Sequence, residues 1–265
     1  MEKLDQLRLI CTDIDGTLLH GETPDYEGLR EFSQALAKAR ELYGTRWAVV
    51  TGRHRVSFMG VLTILLSVDL VPDYLVLEDA LIYEFDRQRG LRSFLFWNFV
   101  IRWRRSHLWR RSRKLLGKWQ EELARHFPHV EQRSHNTVDL WLEFDDEATA
   151  EAGEVVLRDL VGEREEFQVL RWGAELFLAP SVGRKIDAVR KLSGREGIVL
   201  ADVFIVGDGA NDVNMFEDQE VGFRACVGNA PHEIRRVAVQ KGGYVSEGTV
   251  VRGVLEALYA ACPEL

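Results

Sequence analysis

Short apolar runs alternate with helix-like segments along most of the chain. Four of these runs are continuous and short enough to be buried strands. They are residues 7–12, 47–50, 74–77 and 203–206. Segments with helical spacing at residues 26–42 and 56–68 separate the first three runs. Buried strands joined by helices are typical of a parallel sheet covered on both faces. The pattern therefore predicts an α/β fold with a Rossmann-like parallel sheet.

The middle of the chain follows a different pattern. Residues 137–144 alternate between polar and apolar side chains, which predicts a half-buried strand of an antiparallel sheet. The apolar face of that strand carries Val138, Leu140, Leu142 and Phe144. Residues 167–172 and 175–179 predict a hairpin that turns at Gly173.

Helical spacing at residues 115–126 and 148–160 completes this unit. We therefore predict an inserted α+β domain at residues 83–178. The core domain would then consist of residues 1–82 and 179–265.

Composition excludes several protein classes. The 265 residues are 46% hydrophobic and 29% charged, which excludes disordered and fibrous chains. The longest near-apolar stretch, residues 61–68, is too short to span a membrane. The N-terminus has acidic residues and lacks a small-residue cleavage site, so no signal peptide is predicted. Three scattered cysteines are too few for a disulfide framework or a zinc site, and a soluble cytoplasmic protein is expected.

Two carboxylates follow the first predicted strand. Asp13 and Asp15 lie where that strand ends, and Gly16 permits a tight turn after them. Ligands of α/β proteins bind beyond the carboxyl ends of the strands. One carboxylate could attack as a nucleophile while the other moves protons. The alternative is an Asx-rich turn that only caps the next segment.

Two further clusters could bind an anion. Thr51, Gly52 and Arg53 follow the second strand, where a hydroxyl and the unpaired N–H groups of a helix N-terminus can hold phosphate oxygens. Gly52 and Arg53 are therefore candidate substrate-binding residues. Lys185 stands at the start of a predicted helix, where the helix dipole does not favour a cation unless an anion is bound. An ordinary turn and an exposed lysine are the alternatives.

The last cluster follows the strand at residues 203–206. Asp208 and Asp212 are four residues apart among glycines, and they offer the oxygen ligands that Mg²⁺ prefers. The alternative is a loop in which Asn211 caps the next helix. Asn211 can serve both purposes.

The order of these four clusters resembles the haloacid dehalogenase superfamily of phosphatases. An insertion after the third strand is similar to the Cof-type subclass (IIB) of that superfamily, which includes sucrose-phosphate and mannosylglycerate-phosphate phosphatases. Residues 227–230, Val-Gly-Asn-Ala, also match that subclass. The resemblance implies that the inserted domain is a cap that selects the substrate.

The resemblance also implies a role for each catalytic residue. Asp13 would be the nucleophile and would form an aspartyl-phosphate. Asp15 would protonate the leaving alcohol and then activate water. Thr51 and Lys185 would hold the phosphoryl oxygens.

A Mg²⁺ site follows from the same resemblance. Asp13, Asp208 and Asp212 would bind the ion together with the backbone carbonyl of Asp15. Asn211 would orient Lys185 or the phosphate. The expected function is a Mg²⁺-dependent phosphatase that acts on a small phosphorylated metabolite, with a sugar phosphate as the favoured substrate. A phosphotransferase or phosphomutase on the same scaffold is the alternative enzyme.

One departure bears on the substrate. Many members of the subclass have a small polar residue or an Asn-Gly pair after the third strand, whereas this chain has Glu78, Asp79 and Ala80. These two carboxylates could repel an acidic substrate or accept hydrogen bonds from sugar hydroxyls. Both interpretations stay open at this point.

The distribution of charge is uneven. The chain has a net charge of −8, but residues 87–118 contain eleven Arg or Lys and no Asp or Glu. An acidic body argues against non-specific nucleic-acid binding by the whole protein. Within this region, residues 97–119 form an Arg/Trp segment that holds four of the seven tryptophans.

The favoured interpretation of the Arg/Trp segment is an amphipathic cap helix with a solvated basic face. At helical spacing one face carries Trp97, Ile101, Leu108, Leu115 and Trp119. The arginines could instead steer an anionic substrate. A third alternative makes the protein an interaction protein, with this segment as an arm for RNA, anionic lipid or an acidic partner. Arg and Trp are also frequent interface anchors, so a homo-oligomer is left open.

Overall fold

A computed structural model describes residues 3–21, 23–132 and 140–265. The chain forms two compact units. The core unit comprises Met1–Asn98 and Arg184–Leu265, and the inserted unit comprises Phe99–Gly183.

Twelve strands and eight α-helices are described in these ranges. The strands are β1 (Leu9–Thr12), β2 (Arg46–Val50), β3 (Tyr74–Leu77), β4 (Leu81–Asp86), β5 (Gly90–Ser93), β6 (Glu131–Gln132), β7 (Leu140–Glu143), β8 (Phe167–Trp172), β9 (Glu175–Pro180), β10 (Val203–Gly207), β11 (Phe223–Cys226) and β12 (Tyr244–Val245). The helices are α1 (Tyr26–Tyr43), α2 (Arg55–Ser67), α3 (Leu95–His126), α4 (Glu147–Val161), α5 (Lys185–Glu196), α6 (Val213–Phe216), α7 (His232–Gln240) and α8 (Val250–Ala261).

The core unit is built on one eight-stranded sheet. Its strand order is β12-β11-β10-β1-β2-β3-β4-β5. The strands from β12 to β3 pair in parallel, whereas β4 and β5 pair antiparallel. All residues of β1, β3 and β10 are buried, as a sheet covered on both faces requires. The predicted α/β class with a Rossmann-like sheet is confirmed.

Helix α1 covers one face of the core sheet, and residues at its start and on its inner face fix its position. Asp25 accepts a hydrogen bond from the N–H of Gly28 at 2.9 Å, which satisfies a donor that the first turn leaves unpaired. Phe32 is fully buried on the inner face of the helix and meets Trp47 of β2 edge to face, with ring centroids 5.5 Å apart.

The antiparallel strands β4 and β5 make the core unit longer than the predicted core. The sequence interpretation places the boundaries at residues 82 and 178, whereas the compact units divide at residues 98 and 183. Asn98 explains part of this difference, because its side chain accepts from the N–H of Ile82 and donates to the carbonyl of Ile82, both at 2.8 Å. Trp97 likewise donates to the carbonyl of Ala80 at 2.8 Å.

The inserted unit contains a four-stranded antiparallel sheet with the order β6-β7-β9-β8. Strands β8 and β9 form the predicted hairpin. Strand β7 covers residues 140–143 of the predicted strand at residues 137–144, Phe144 follows it, and Val138 lies outside the described residues. The core of this unit includes Trp119, whose ring meets Phe167 edge to face at 5.7 Å. Among the described residues of both units, no helix combines the length and the apolar character that crossing a bilayer requires.

Candidate active site

The candidate site lies at the carboxyl ends of β1 and β10. These neighbouring strands pair in parallel with Thr12 opposite Val206, so Asp13 and Asp208 leave the sheet side by side. The N–H of Asp13 donates to the carbonyl of Val206 at 3.0 Å and fixes where the chain leaves β1. Parallel pairing thus joins two sequence clusters that are far apart along the chain.

Three carboxylates meet at this point. One oxygen from each of Asp13, Asp208 and Asp212 lies within 4.8 Å of the others, and all three residues are buried. Two glycines make this approach possible. A Cβ at Gly16 would stand 2.0 Å from Asp208 Oδ2, and one at Gly207 would stand 2.3 Å from Asp212 Cγ. Any larger residue at either position would displace a member of the carboxylate triad.

Lys185 supplies the positive charge of the site. It is the first residue of α5 and is fully buried. Its Nζ lies 2.6 Å from Asp212 Oδ1 and 3.2 Å from Asp13 Oδ2. The other oxygen of Asp212 accepts from the N–H groups of Asp208 and Gly209, each at 2.9 Å. Asp212 is thereby fixed on both sides.

The pKa values of this group reflect burial first and charge second. Burial raises the pKa of Asp13 well above its ordinary value, and Lys185 opposes that rise. Burial, with the charge of Asp212, raises the pKa of Asp208 to about 7. Burial by itself lowers the pKa of Lys185, but the charges of Asp13 and Asp212 outweigh it, so that pKa is raised. Three carboxyl groups around one lysine thus disfavour full ionisation of the triad.

The residues present fit a divalent cation. The triad consists only of carboxylates, the hard oxygen ligands that Mg²⁺ prefers. Asp13 Oδ1 is buried and has no hydrogen-bond partner among the described residues. A buried carboxylate oxygen without a partner is costly unless a cation or a ligand approaches it.

Asp15 lies outside the carboxylate triad. Its side chain is 52% exposed, and both of its oxygens accept from Arg53, with the Nε and one terminal nitrogen of the guanidinium each at 2.6 Å. This two-point pair is the strong geometry of Arg and carboxylate. The structure therefore brings Asp15 and Arg53 together at the open edge of the site.

The remaining predicted residues, Thr51, Gly52 and Asn211, lie near the carboxyl end of β2. Thr51 is buried, and its hydroxyl accepts from the N–H of Arg53 at 3.2 Å. Asn211 donates to Asp79 Oδ1 at 3.0 Å, and both side chains lie about van der Waals distance from a Cβ built on Gly52. The role predicted for Asn211, orienting Lys185 or the phosphate, stays a prediction, since its amide bonds to Asp79.

Comparison with known proteins shows the family. A family model described as sucrose-6F-phosphate phosphohydrolase matches residues 6–260, nearly the whole chain. The chain belongs to the sucrose-6F-phosphate phosphohydrolase family. The family description makes it a phosphatase, as the order of its motifs predicts, and solved haloacid dehalogenase-like hydrolases share its fold.

Solved structures share the fold of this family member. The sucrose-phosphatase of Synechocystis sp. PCC6803, solved with sucrose and phosphate, is 22% identical, and the match has a TM-score of 0.72 over 97% of this chain and 98% of that chain. A haloacid dehalogenase-like hydrolase of Bacillus subtilis is 16% identical, with a TM-score of 0.59 over 96% of this chain and 92% of that one. Among curated proteins, the phosphoglycolate phosphatase of Methanosarcina mazei is 36% identical over 70 residues, 26% of this chain and 28% of that protein.

Two residues of the site, Thr17 and Asn229, make contacts that the sequence did not predict. The Thr17 hydroxyl donates to Asp208 Oδ1 at 2.6 Å and is fully buried. Asn229 donates to the carbonyl of Gly16 at 2.7 Å, which secures the turn after Asp13 and Asp15. Both residues stand inside motifs that the sequence displays, but no spacing rule indicates their partners.

A strained backbone supports Asn229 in this family member. Val250 has a φ of 52°, in the left-handed region that β-branched residues avoid, and its N–H donates to Asn229 Oδ1 at 2.7 Å. Since left-handed backbone costs a residue with a Cβ about 1–2 kcal/mol, Val250→Gly is expected to raise the free energy of unfolding by about 1 kcal/mol in urea denaturation. Val239→Gly, at an exposed position inside α7, is the control and should lower it by about 0.5 kcal/mol. A decrease in both variants would contradict the assignment of strain to Val250.

Proposed function

We propose that the protein hydrolyses the phosphate ester of a sugar phosphate, with Mg²⁺ as cofactor and an aspartyl-phosphate on Asp13 as intermediate. The observation that carries the proposal is the buried triad of Asp13, Asp208 and Asp212 joined by Lys185. The family description points to sucrose 6-phosphate as the first ester to examine. The sucrose and phosphate bound by the Synechocystis relative support the same choice.

The first step is attack by Asp13. Its unpartnered Oδ1 forms the bond to phosphorus while the bond from phosphorus to the sugar oxygen breaks. Lys185 holds Asp13 through the other oxygen at 3.2 Å and keeps positive charge beside the transferring group. In this arrangement Lys185 and the Thr51 hydroxyl bind the phosphoryl oxygens as negative charge develops on them.

Asp15 moves the protons. It takes up a proton from solvent once its oxygens are free, gives that proton to the departing sugar oxygen, and then takes one from the water that attacks the phosphorus of the intermediate and frees Asp13. In this structure Arg53 occupies both oxygens of Asp15, so neither oxygen is available to the substrate. We infer that Arg53 leaves Asp15 when the phosphate ester binds and then contacts the phosphate together with the N–H of Gly52.

Asp13, Asp208 and Asp212 would hold Mg²⁺, with the backbone carbonyl of Asp15 as a further ligand. When bound, the ion offsets the repulsion between an anionic nucleophile and an anionic ester. Thr17 and the N–H groups of Asp208 and Gly209 hold the carboxylates in place. Phosphate monoester hydrolysis leaves room for accelerations up to about 10²¹, so fixed charges and in-line positioning must together supply most of the effect.

The inserted unit is proposed to select the substrate. It was predicted as a cap at residues 83–178 and is compact over Phe99–Gly183. The core residues described above bind the phosphoryl group, which all phosphate esters share. Discrimination among leaving groups therefore has to come from other residues.

The experiment that tests this function is phosphate release from a panel of esters. Sucrose 6-phosphate, glucose 6-phosphate and phosphoglycolate are each incubated with the full chain, with Mg²⁺ or with EDTA. Mg²⁺-dependent release, fastest with a sugar phosphate, is expected. Release that EDTA leaves unchanged contradicts the metal role, and preference for phosphoglycolate contradicts the sugar-phosphate assignment. Transfer of phosphate to a second sugar instead of water would favour a phosphotransferase.

A further inference from the structure

Helix α3 exposes large apolar side chains that the phosphatase function does not use. Phe99 and Trp103 are 65% and 57% exposed. The first turn of the same helix adds Leu95 and Phe96, which are 79% and 83% exposed. Isolated exposed apolar residues are common, but four within the first three turns of one helix form a continuous stripe.

The stripe lies opposite the buried side of the helix. At about 100° per residue, Leu95, Phe96, Phe99 and Trp103 fall within an arc about 100° wide. The buried residues Leu108, Leu116, Trp119 and Leu123, which belong to the core of the inserted unit, fall on the other side. Packing of the inserted unit therefore does not account for the stripe.

Basic residues continue the same outer side toward the C-terminus of the helix. Arg110, Arg113 and Lys114 share that side and are exposed. No acidic residue occurs between residues 87 and 118. The outer face of α3, defined by Phe99, Trp103, Arg110, Arg113 and Lys114, is thus apolar at one end and cationic at the other.

We propose that the outer face of α3 docks on an anionic lipid surface. Such a surface offers negative headgroups to the cationic end and the headgroup–acyl boundary to the aromatic end, where Trp and Phe are favoured. A nucleic acid would engage the cations but would leave the Leu95 end of the stripe without an apolar partner. A second copy would present the same face, which as defined offers no carboxylate to the cationic end.

The test is sedimentation of the full-length protein with vesicles. One set contains phosphatidylcholine with about a third phosphatidylserine, and the other contains phosphatidylcholine alone. Partitioning into the anionic vesicles is expected to exceed that into neutral ones by on the order of 100-fold, since each cation near an anionic surface contributes about fivefold. Raising the salt concentration from about 0.1 M to about 1 M should abolish most of this difference, because it shortens the Debye length from about 10 Å to about 3 Å.

Two sets of variants locate the surface. Arg110→Gln, Arg113→Gln and Lys114→Gln together should reduce anionic-vesicle binding by on the order of 100-fold. Phe99→Ser with Trp103→Ser should reduce it by at least about tenfold. Each set has a matched control at exposed positions of the core unit. The control for the cationic set is the triple variant Arg8→Gln, Arg30→Gln and Arg236→Gln. The control for the aromatic set is the double variant Val199→Ser and Val239→Ser. Circular dichroism verifies folding, and phosphate release gives an independent readout of the core.

Three outcomes would overturn the proposal. One is equal partitioning of the unmodified protein into anionic and neutral vesicles, a result that needs no variant. Another is anionic binding that falls equally in the control variants. The third is binding of single-stranded RNA, or self-association on sedimentation, that the α3 substitutions abolish while vesicle binding is absent.

Discussion

Asp13→Asn is expected to reduce phosphate release by on the order of 10⁴–10⁶-fold at saturating Mg²⁺. The amide keeps the shape of the side chain but lacks the anionic oxygen that forms the bond to phosphorus. The effect should appear in kcat. Among the described residues of the triad, Asp13 alone has a buried oxygen without a hydrogen-bond partner, so neither Asp208 nor Asp212 can replace it as the nucleophile.

Folding of Asp13→Asn should be preserved. Burial raises the pKa of Asp13, so its charged form is disfavoured in the fold, and Lys185 retains Asp212 at 2.6 Å when the Asp13 charge is removed. The thermal midpoint is expected at or above that of the unmodified protein. Asp5→Asn, at an exposed site of the core unit, is the matched control and should leave both activity and midpoint unchanged.

Detection of phosphate bound covalently to the protein distinguishes a nucleophilic role of Asp13 from a structural one. Acid quenching during turnover of a labelled ester should leave phosphate on the unmodified protein and none on Asp13→Asn. If the variant turns over within about tenfold of the unmodified protein, Asp13 is not the nucleophile.

The sheet and the ends of its strands were predictable because their signals are local. The apolar runs at residues 74–77 and 203–206 coincide with β3 and with the first four residues of β10. Each polar cluster follows such a run, and parallel pairing brings the ends of neighbouring strands together. On the helix face predicted for the Arg/Trp segment, Ile101, Leu108 and Trp119 are buried, whereas Trp97 and Leu115 are half-buried.

The extension of the core sheet was not predictable from periodicity. Strand β5 and most of β4 lie where the sequence interpretation places the inserted domain, and contacts such as those of Asn98 with Ile82 hold the start of α3 to this part of the sheet. A single buried amide has no periodic signal. Tertiary hydrogen bonding decided this boundary.

The contact between Asn211 and Asp79 also has no local signal. These residues are 132 positions apart, and Asp79 reaches Asn211 from a left-handed backbone with a φ of 62°. Glu78 shares that conformation with a φ of 50°. Backbone strain of this kind persists where the surrounding structure holds it in place. Here the N–H of Asp79 donates a hydrogen bond to the carbonyl of Thr51 at 3.0 Å.

Lys185→Met is expected to abolish activity and to lower the free energy of unfolding by about 3–5 kcal/mol without Mg²⁺. The substitution keeps the volume of the side chain but leaves Asp13 and Asp212 buried with no cation between them. Lys191→Met, at an exposed position on the same helix, is the matched control and should change the free energy of unfolding by less than about 0.5 kcal/mol.

Two further measurements on Lys185→Met separate lost charge from lost packing. If the triad binds Mg²⁺, added ion should raise the denaturation midpoint of Lys185→Met more than that of the unmodified protein, because binding to the folded state replaces the missing charge. Adding Asp212→Asn should recover part of the stability by removing one of the two unpaired charges. Recovery by neither route would mean that Lys185 stabilises the fold by packing alone, and the electrostatic account of the site would then be wrong.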